Sequence, residues 1–275
     1  MFFTRIECGA EGVNMKINAI VAVYNKRISD VPLLNMKCKN AEVQFICCDN
    51  STENGFKQTN AALASCDPSV KYVDMGGNHG LSKAYNHAVE LSDGDAICFF
   101  DDDTYIPEDY FEVVGRYLAM DCHSVYLPLI YSNGKLLSPL KAGRIVIRRF
   151  KGRTLSFENC AVTGFNTGMF MSREIAKAVM HDEELFLDFV DHAFCRDVVE
   201  AGYSIQVVKD IELDQDYSRE TDSCASALHR ARIANSDVRK YYSRSIVGRL
   251  YADVYLFYLR LRNTLKFRTL AFFQI

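Results

Sequence analysis

The chain lacks most of the patterns that assign a function at a glance. Its ten cysteines include no C-x-x-C pair, and no Cys/His cluster stands at zinc-ligand spacing. Cys47 and Cys48 are adjacent and Cys98 lies inside an apolar run; they read as small buried hydrophobes in a reducing compartment. No window reaches about 18 uninterrupted apolar residues, so no transmembrane helix is expected. Met1 to Asn14 show no apolar leader, which makes a cytoplasmic protein the expectation. G-K-[ST] and G-x-G-x-x-G are both absent, which removes the P-loop and the dinucleotide fingerprint. A formal net charge of −3 gives no overall pull toward nucleic acid, and no nucleic-acid reader motif accompanies the basic residues.

What is present is enough for one sizeable core: 275 residues, 49% hydrophobic and 24% charged. Charge is unevenly placed. Residues 230–275 carry ten Arg and Lys against Asp237 and Asp253, a surplus of 8 in a chain whose total is −3. An acidic body and a basic tail suggest two jobs on two surfaces.

Ile17 to Tyr24, Val43 to Cys48, Val70 to Val73 and Ala96 to Phe100 are short apolar runs, read as buried parallel strands. A helix start is expected at Ser29, Asp30 and Pro32, a polar helix after Ser51, and a helix from Leu81 to Leu91. This βα rhythm predicts an α/β fold: an open, mostly parallel sheet with helices on both faces. Ligands bind such sheets at the carboxyl ends of the strands, where Asn25, Asp49 and Asp101 to Asp103 stand. Helical patterning dominates again from Ala225. The expected division is an extension over 1–14, a catalytic domain over 15–220 and a basic, aromatic-rich helical tail over 221–275.

Four segments carry candidate chemistry. Asp101, Asp102 and Asp103 leave a buried strand together; three mutually repelling carboxylates there suit a hard divalent cation, Mg2+ or Mn2+, or else an acidic helix-capping turn. Asp49, before Asn50 and Ser51, suits hydrogen bonding to a nucleobase imide, or an Asx-turn. Gly76, Gly77 and Gly80 let backbone approach a ligand at a helix entry, with Lys83 placed to meet a diphosphate. Asp188 and Asp191, three apart on an expected helix from Leu187 to Ala201, would share a face; a carboxylate among aromatic neighbours can serve as a general base.

Taken in order, these pieces resemble family 2 glycosyltransferases of the GT-A fold. The ordered strings are Val23-Tyr24-Asn25-Lys26, Asp49-Asn50-Ser51, Asn78-His79-Gly80-Leu81-Ser82-Lys83-Ala84-Tyr85-Asn86, Asp101-Asp102-Asp103-Thr104, Asn166-Thr167-Gly168 and Phe186-Leu187-Asp188-Phe189-Val190-Asp191-His192. The third and last look most like the rhamnosyltransferase-like branch, whose enzymes build bacterial surface polysaccharides. The resemblance implies an inverting, metal-dependent transfer from a dTDP- or UDP-linked sugar to a saccharide or lipid-linked acceptor. It implies a donor site at Val23, Tyr24, Asn25, Asp49, Asn78, Gly80, Lys83 and Asp101 to Asp103, with Asp101 and Asp103 at the metal. Asp191 would be the catalytic base, with Asn166, Gly168, Asp188 and His192 on the acceptor side. Where relatives often carry a His ligand this chain has Gln215, with Asp214 as a substitute ligand.

Two rivals stand beside this reading. A sugar-nucleotide nucleotidyltransferase would show a glycine-rich loop after the first strand, where Tyr24-Asn25-Lys26-Arg27-Ile28 stands instead. An inactive GT-A binding module would not need intact Asp101, Asp103 and Asp191. The tail, with arginines among aromatic and aliphatic residues, is read either as a peripheral contact with the inner membrane face or as a helix packed on the body.

Overall fold

The computed structural model describes residues 15–36, 42–150, 156–157, 160–215 and 223–275. The expected extension over 1–14 and residues 216–222, around the expected boundary between catalytic domain and tail, lie outside them. Strands β1 (Lys16–Val23), β2 (Glu42–Asp49), β3 (Val70–Asp74) and β4 (Ala96–Phe100) alternate with helices α1 (Asn54–Ser65), α2 (Leu81–Leu91) and α3 (Tyr110–Met120). There follow β5 (Ser124–Ser132), β6 (Lys135–Ser138), β7 (Leu140–Lys141), β8 (Val162–Thr163) and β9 (Met169–Ser172), then α4 (Arg173–Ala178), α5 (Val190–Glu200) and β10 (Ser204–Asp214). Helices α6 (Cys224–Tyr241) and α7 (Ile246–Phe267) and a 3-10 turn, Leu270–Gln274, complete the chain.

The helix expected near Ser29 is instead two 3-10 turns, Ile28–Asp30 and Pro32–Asn35. Val31 between them is extended (φ −92°, ψ 112°), as the residue before proline prefers.

The sheet order is β10-β5-β9-β4-β1-β2-β3, with β6 on β5. Strands β1 to β4 run parallel, and β9 lies antiparallel between β4 and β5. Alternate residues bury on opposite faces, as the two-residue period of a strand requires. Ala19, Val21, Cys47, Cys98 and Phe100 pack on one face with α3; Ile20, Ile46, Cys48, Ile97 and Phe99 pack on the other with α2 and α5. Register sets the edge: Val23 pairs with Asp49 and Val21 with Phe100. Tyr24, Asn50 and Asp101 therefore emerge on one side of the sheet.

Helix α6 is packed on the body. Arg244, just beyond it, bonds Asp197 at 2.9 Å and Glu200 at 2.6 Å on α5, and Arg196 lies over the Tyr241 ring at 5.0 Å. Val238, Tyr242, Ala252 and Leu256 form a small core between α6 and α7. Among the described residues no helix is long and apolar enough to cross a membrane.

Candidate active site

The exits of β1 and β2 are tied together by their own polar side chains. Asn25 takes a left-handed conformation (φ 46°), its Oδ1 accepts the backbone N–H groups of Thr52 and Glu53, and its own N–H donates to Ser51 Oγ. Asp49 is fully buried. Its Oδ1 accepts from Ser51 N–H at 2.8 Å, and its Oδ2 from Asn60 Nδ2 and the Tyr72 hydroxyl, both at 2.9 Å. A carboxylate engaged this way braces the loop and presents no free edge to a nucleobase, unlike the contact expected of it.

The string from Gly80 to Asn86 acts as a docking strip for the segment before α5. Gly80 has φ 87°, and a Cβ there would come within 2.8 Å of Phe186; only glycine allows that approach. Leu81 N–H donates to Phe186 O (2.7 Å), Ser82 Oγ to Leu185 O (2.7 Å), and Asn86 exchanges two bonds with the His181 backbone. Lys83 points elsewhere. It is exposed and lines a separate small cleft with Asp74, Glu90 and Glu183, so it does not meet a diphosphate in the main cavity. The signal was periodic: Lys83, His87 and Glu90 share the polar face of α2, while Ala84, Tyr85, Ala88 and Val89 are buried.

Beyond β4, Asp101 N–H donates to Thr167 Oγ1 at 2.7 Å, and Thr167 and Thr104 share a hydroxyl contact of 2.8 Å. Lys26 Nζ bonds both the carbonyl (2.7 Å) and the carboxylate (3.1 Å) of Asp102. Asp101 and Asp103 face Gln215, whose Nε2 lies 3.0 Å from Asp101 Oδ2 and 3.5 Å from Asp103 Oδ1. Burial, and then the charge of Asp103, push the Asp101 carboxyl up to about 6.

The segment from Leu185 to Phe189 is not helical. Phe189 is left-handed (φ 63°) and α5 starts only at Val190. Asp188 therefore lies before the helix, and the shared helical face expected for Asp188 and Asp191 does not exist. Asp237, fully buried on α6, holds this segment: its carboxylate accepts the N–H groups of Phe186 (3.0 Å), Leu187 (2.8 Å) and Asp188 (2.8 Å). Nothing in the sequence pattern singles out Asp237, an acidic residue in a basic helix. Asp191 sits in the first turn of α5, where the helix N-terminus favours a carboxylate. Its Oδ1 accepts the N–H of His192 (2.7 Å), and His192 Nδ1 meets Thr163 Oγ1 at 2.8 Å.

These elements converge on a cavity of about 1110 Å³. Of the residues expected in the site, Val23, Tyr24, Asn78, Gly80, Asp101, Asp102, Asp103, Asn166, Asp188, Asp191 and His192 line it, as does Gln215; Asn25, Asp49, Lys83 and Gly168 do not. The buried Tyr85 hydroxyl, which donates to Phe100 O (3.2 Å), is pushed well up, first by burial and then by the charges of Asp101 and Asp191. Asn166 is buried with its Oδ1 unpartnered among the described residues, so a ligand hydroxyl would satisfy it. Gly168 (φ 69°) is structural: a Cβ there would come within 2.5 Å of Leu213 and 2.9 Å of Pro128.

The glycosyl transferase family 2 profile matches residues 19–179, more than half of the chain. The chain belongs to glycosyl transferase family 2. This family 2 member is 25% identical over 211 residues to the dTDP-rhamnosyl transferase RfbF of Shigella flexneri, covering 73% of this chain and 69% of that one. Its fold is similar to that of S. aureus TarS 1-349 in complex with UDP-GlcNAc (TM-score 0.52, 15% identity, 92% of this chain and 73% of that). It is also similar to that of the mannosyltransferase PcManGT from Pyrobaculum calidifontis in complex with GDP-Man and Mn2+ (TM-score 0.57, 14% identity, 94% and 74%). The architecture is the GT-A fold, and the protein is a nucleotide-sugar glycosyltransferase.

A divalent cation fits the residues present. Two carboxylates, one with a raised proton affinity caused partly by the other, form a site that a proton or a dication relieves, and oxygen ligands suit Mg2+ or Mn2+. Among the described residues no group of three or more His, Cys, Asp and Glu side chains could hold a metal. Asp214, exposed and absent from the cavity wall, is not a substitute third ligand. The chain offers the carboxylates of Asp101 and Asp103; Gln215 presents its Nε2, a donor, to both.

Proposed function

We propose that the enzyme transfers a sugar, with inversion, from a dTDP- or UDP-linked donor to a hydroxyl of a saccharide or lipid-linked acceptor in surface polysaccharide synthesis. The observation that carries this reading is that Asp191 and the Asp101–Asp103 run, ninety residues apart in sequence, line one cavity. The mannosyltransferase PcManGT in complex with GDP-Man and Mn2+ supports a divalent cation by analogy of fold.

Asp101 and Asp103 would hold the cation, which supplies neutralising charge at the departing nucleoside diphosphate. Asp191 has Oδ1 occupied by the His192 N–H, which leaves Oδ2 as the base. The acceptor hydroxyl gives its proton to Oδ2 while its oxygen bonds the anomeric carbon. The bond from that carbon to the diphosphate oxygen breaks, and the electron pair leaves with the diphosphate. A single displacement inverts the configuration. Thr163 and His192 fix the helix end that carries the base, and Tyr24 and Asn78 flank the donor end of the cavity. The body over 15–220 carries the chemistry, and the tail over 221–275 braces it through Asp237. The enzyme acts in the cytoplasm, with the tail in contact with the inner membrane face.

Thermal shift against a panel of UDP-, dTDP- and GDP-sugars, with and without Mn2+, tests the donor assignment. Metal-dependent stabilisation by a dTDP- or UDP-sugar is the expected result; no response to any of them contradicts it.

A further inference from the structure

The wall of the cavity is divided by charge. Its acidic side chains come from the exit of β4, Asp101 to Asp103, and from the entry to α5, Asp188 and Asp191. Its Arg and Lys side chains come from elsewhere: Arg149 before β8, Arg230 on α6, and Arg260, Arg262 and Lys266 on α7. Helical spacing explains the grouping on α7. Tyr255, Leu259, Arg262 and Lys266 follow one another at steps of four, three and four, and Leu256, Arg260, Asn263 and Phe267 form the neighbouring row at the same steps. Two such rows make one helix face, and this face lines the cavity.

Other cations of the tail are paired with carboxylates. Arg239 bonds Asp253 at 2.7 Å, Lys240 bonds Asp182 at 3.4 Å, and Arg244 bonds Asp197 and Glu200; none of these three cations lines the cavity. The cavity arginines are not neutralised in this way. Among the described residues Arg149, Arg230, Arg260 and Arg262 make no salt bridge. Arg260 bonds only the neutral amide of Asn235 (3.0 Å), and Arg262 that of Asn263 (3.3 Å). Arg230 and Arg260 are half-buried, Arg149 and Arg262 more open. Guanidinium groups without a counter-charge in a cleft raise a positive potential inside it. The groups that match their planar forks are carboxylate and phosphate.

Ring contacts set the distance from the proposed base. Phe189, two residues before Asp191, meets the Tyr255 ring at 6.4 Å between centroids. Arg260, Arg262 and Lys266 lie further along α7, about 8, 10 and 16 Å from Tyr255 at the helical rise. That span is longer than a single pyranose ring.

We infer that the acceptor is an anionic saccharide: a carboxylate or phosphate on a sugar unit beyond the attacked one seats among Arg149, Arg230, Arg260 and Arg262. This deepens the proposed function and rests on it for Asp191 as the place of transfer. The donor diphosphate does not compete for these arginines in that account, because the cation holds it at Asp101 and Asp103.

The test is calorimetric titration of the full chain with three soluble probes: tetragalacturonate, glucose 1-phosphate and maltotetraose. The proteins are wild type, Arg230→Gln/Arg262→Gln and Arg232→Gln/Arg249→Gln. Arg232 and Arg249 are exposed and lie outside the cavity, so the two double variants lose the same charge from different places. Wild type should bind at least one anionic probe at least about tenfold more tightly than maltotetraose, with affinity falling as salt rises. The cavity variant should lose at least about tenfold for that probe, and the surface variant should not. Arg149→Gln, placed on a loop, repeats the test without touching the helix pair and should weaken the same probe by a smaller factor. Preference for tetragalacturonate identifies a carboxylate as the anion, and preference for glucose 1-phosphate a phosphate. No preference for either over maltotetraose overturns the inference, as does an equal loss in the two double variants. Mn2+-dependent binding of UDP- and dTDP-sugars reads the donor end separately. Its loss in the cavity variant, with probe binding intact, assigns the arginines to the donor and overturns the inference. Its absence from every protein, wild type included, with the anionic preference intact, counts against the donor assignment and not against the anionic acceptor.

Discussion

Asp237 on α6 accepts the backbone N–H of Leu187 at 2.8 Å, so a carboxylate of the C-terminal helices fixes the segment that leads into the proposed catalytic helix. The same group takes the N–H of Phe186 and of Asp188. Three half-buried donors share one buried carboxylate, and removing it leaves them without their protein partner. Asp237→Ala should destabilise the protein by on the order of 3 kcal/mol and lower kcat more than it weakens donor binding. Denaturant unfolding and steady-state kinetics check this; a variant with unchanged stability and turnover would remove the bracing role.

Glycine is required at position 168 by space as well as by conformation. Gly168 and Gly76 both have positive φ (69° and 78°), yet a Cβ on Gly76 meets nothing within 4 Å while one on Gly168 meets Leu213 at 2.5 Å. Gly76→Ala should cost about 1 kcal/mol. Gly168→Ala should cost about 2 kcal/mol more, because overpacking adds to the conformational strain. Parallel melting curves decide; equal losses would show that strain alone acts at both sites.

His181 gives a pH signature. It is buried, stacked on Phe194 at 4.4 Å and edge-on to Phe99 at 5.1 Å, and burial lowers its pKa from 6.5 to about 3. The folded imidazole stays neutral while the unfolded one charges below 6.5. Its contribution is therefore complete above 6.5 and is lost as pH falls toward 3, by about 1.4 kcal/mol per pH unit at most. His181→Phe keeps the aromatic stack and the backbone bonds to Asn86, and should flatten the acid limb of stability against pH by about one proton. An unchanged limb would place the acid lability elsewhere.

Metal binding should follow the protonation of Asp101. A cation competes with the proton on a carboxyl whose pKa is about 6, so Mn2+ affinity should fall as pH drops below that value. Asp103→Ala removes a ligand and also the neighbouring charge that helps raise the Asp101 pKa. Calorimetric titration with Mn2+ and a nucleoside diphosphate should show weaker binding in the variant, with its pH dependence displaced to lower pH. Equal affinity at every pH would exclude this pair as the metal site.

The sheet was legible because its strands are continuous apolar runs, and α2 and β4 fall where those runs place them (Leu81–Leu91 and Ala96–Phe100). The strand exits followed, since parallel neighbours end on one edge. Less legible was the segment before α5. The Phe186 to His192 string fits helical spacing from Leu187 on, yet left-handed Phe189 breaks it, and the bonds that hold that break come from Asp237, fifty residues on. For Asp49 the Asx-turn alternative is present in its bond to Ser51, but its other partners were not legible: a polar residue at a strand end looks free in one dimension, while Asn60 and Tyr72, which also bond it, come from α1 and β3. Long-range pairing of polar groups leaves no local periodicity to read.

The most direct test of the account is single-turnover transfer by Asp191→Asn, paired with Mn2+-dependent donor binding by the same protein. Asparagine keeps the size of the side chain and an oxygen to accept the His192 N–H, but has no carboxylate to take a proton. The account predicts unchanged donor affinity and a loss of transfer on the order of 10²–10⁴-fold. Near-native transfer by this variant would contradict it.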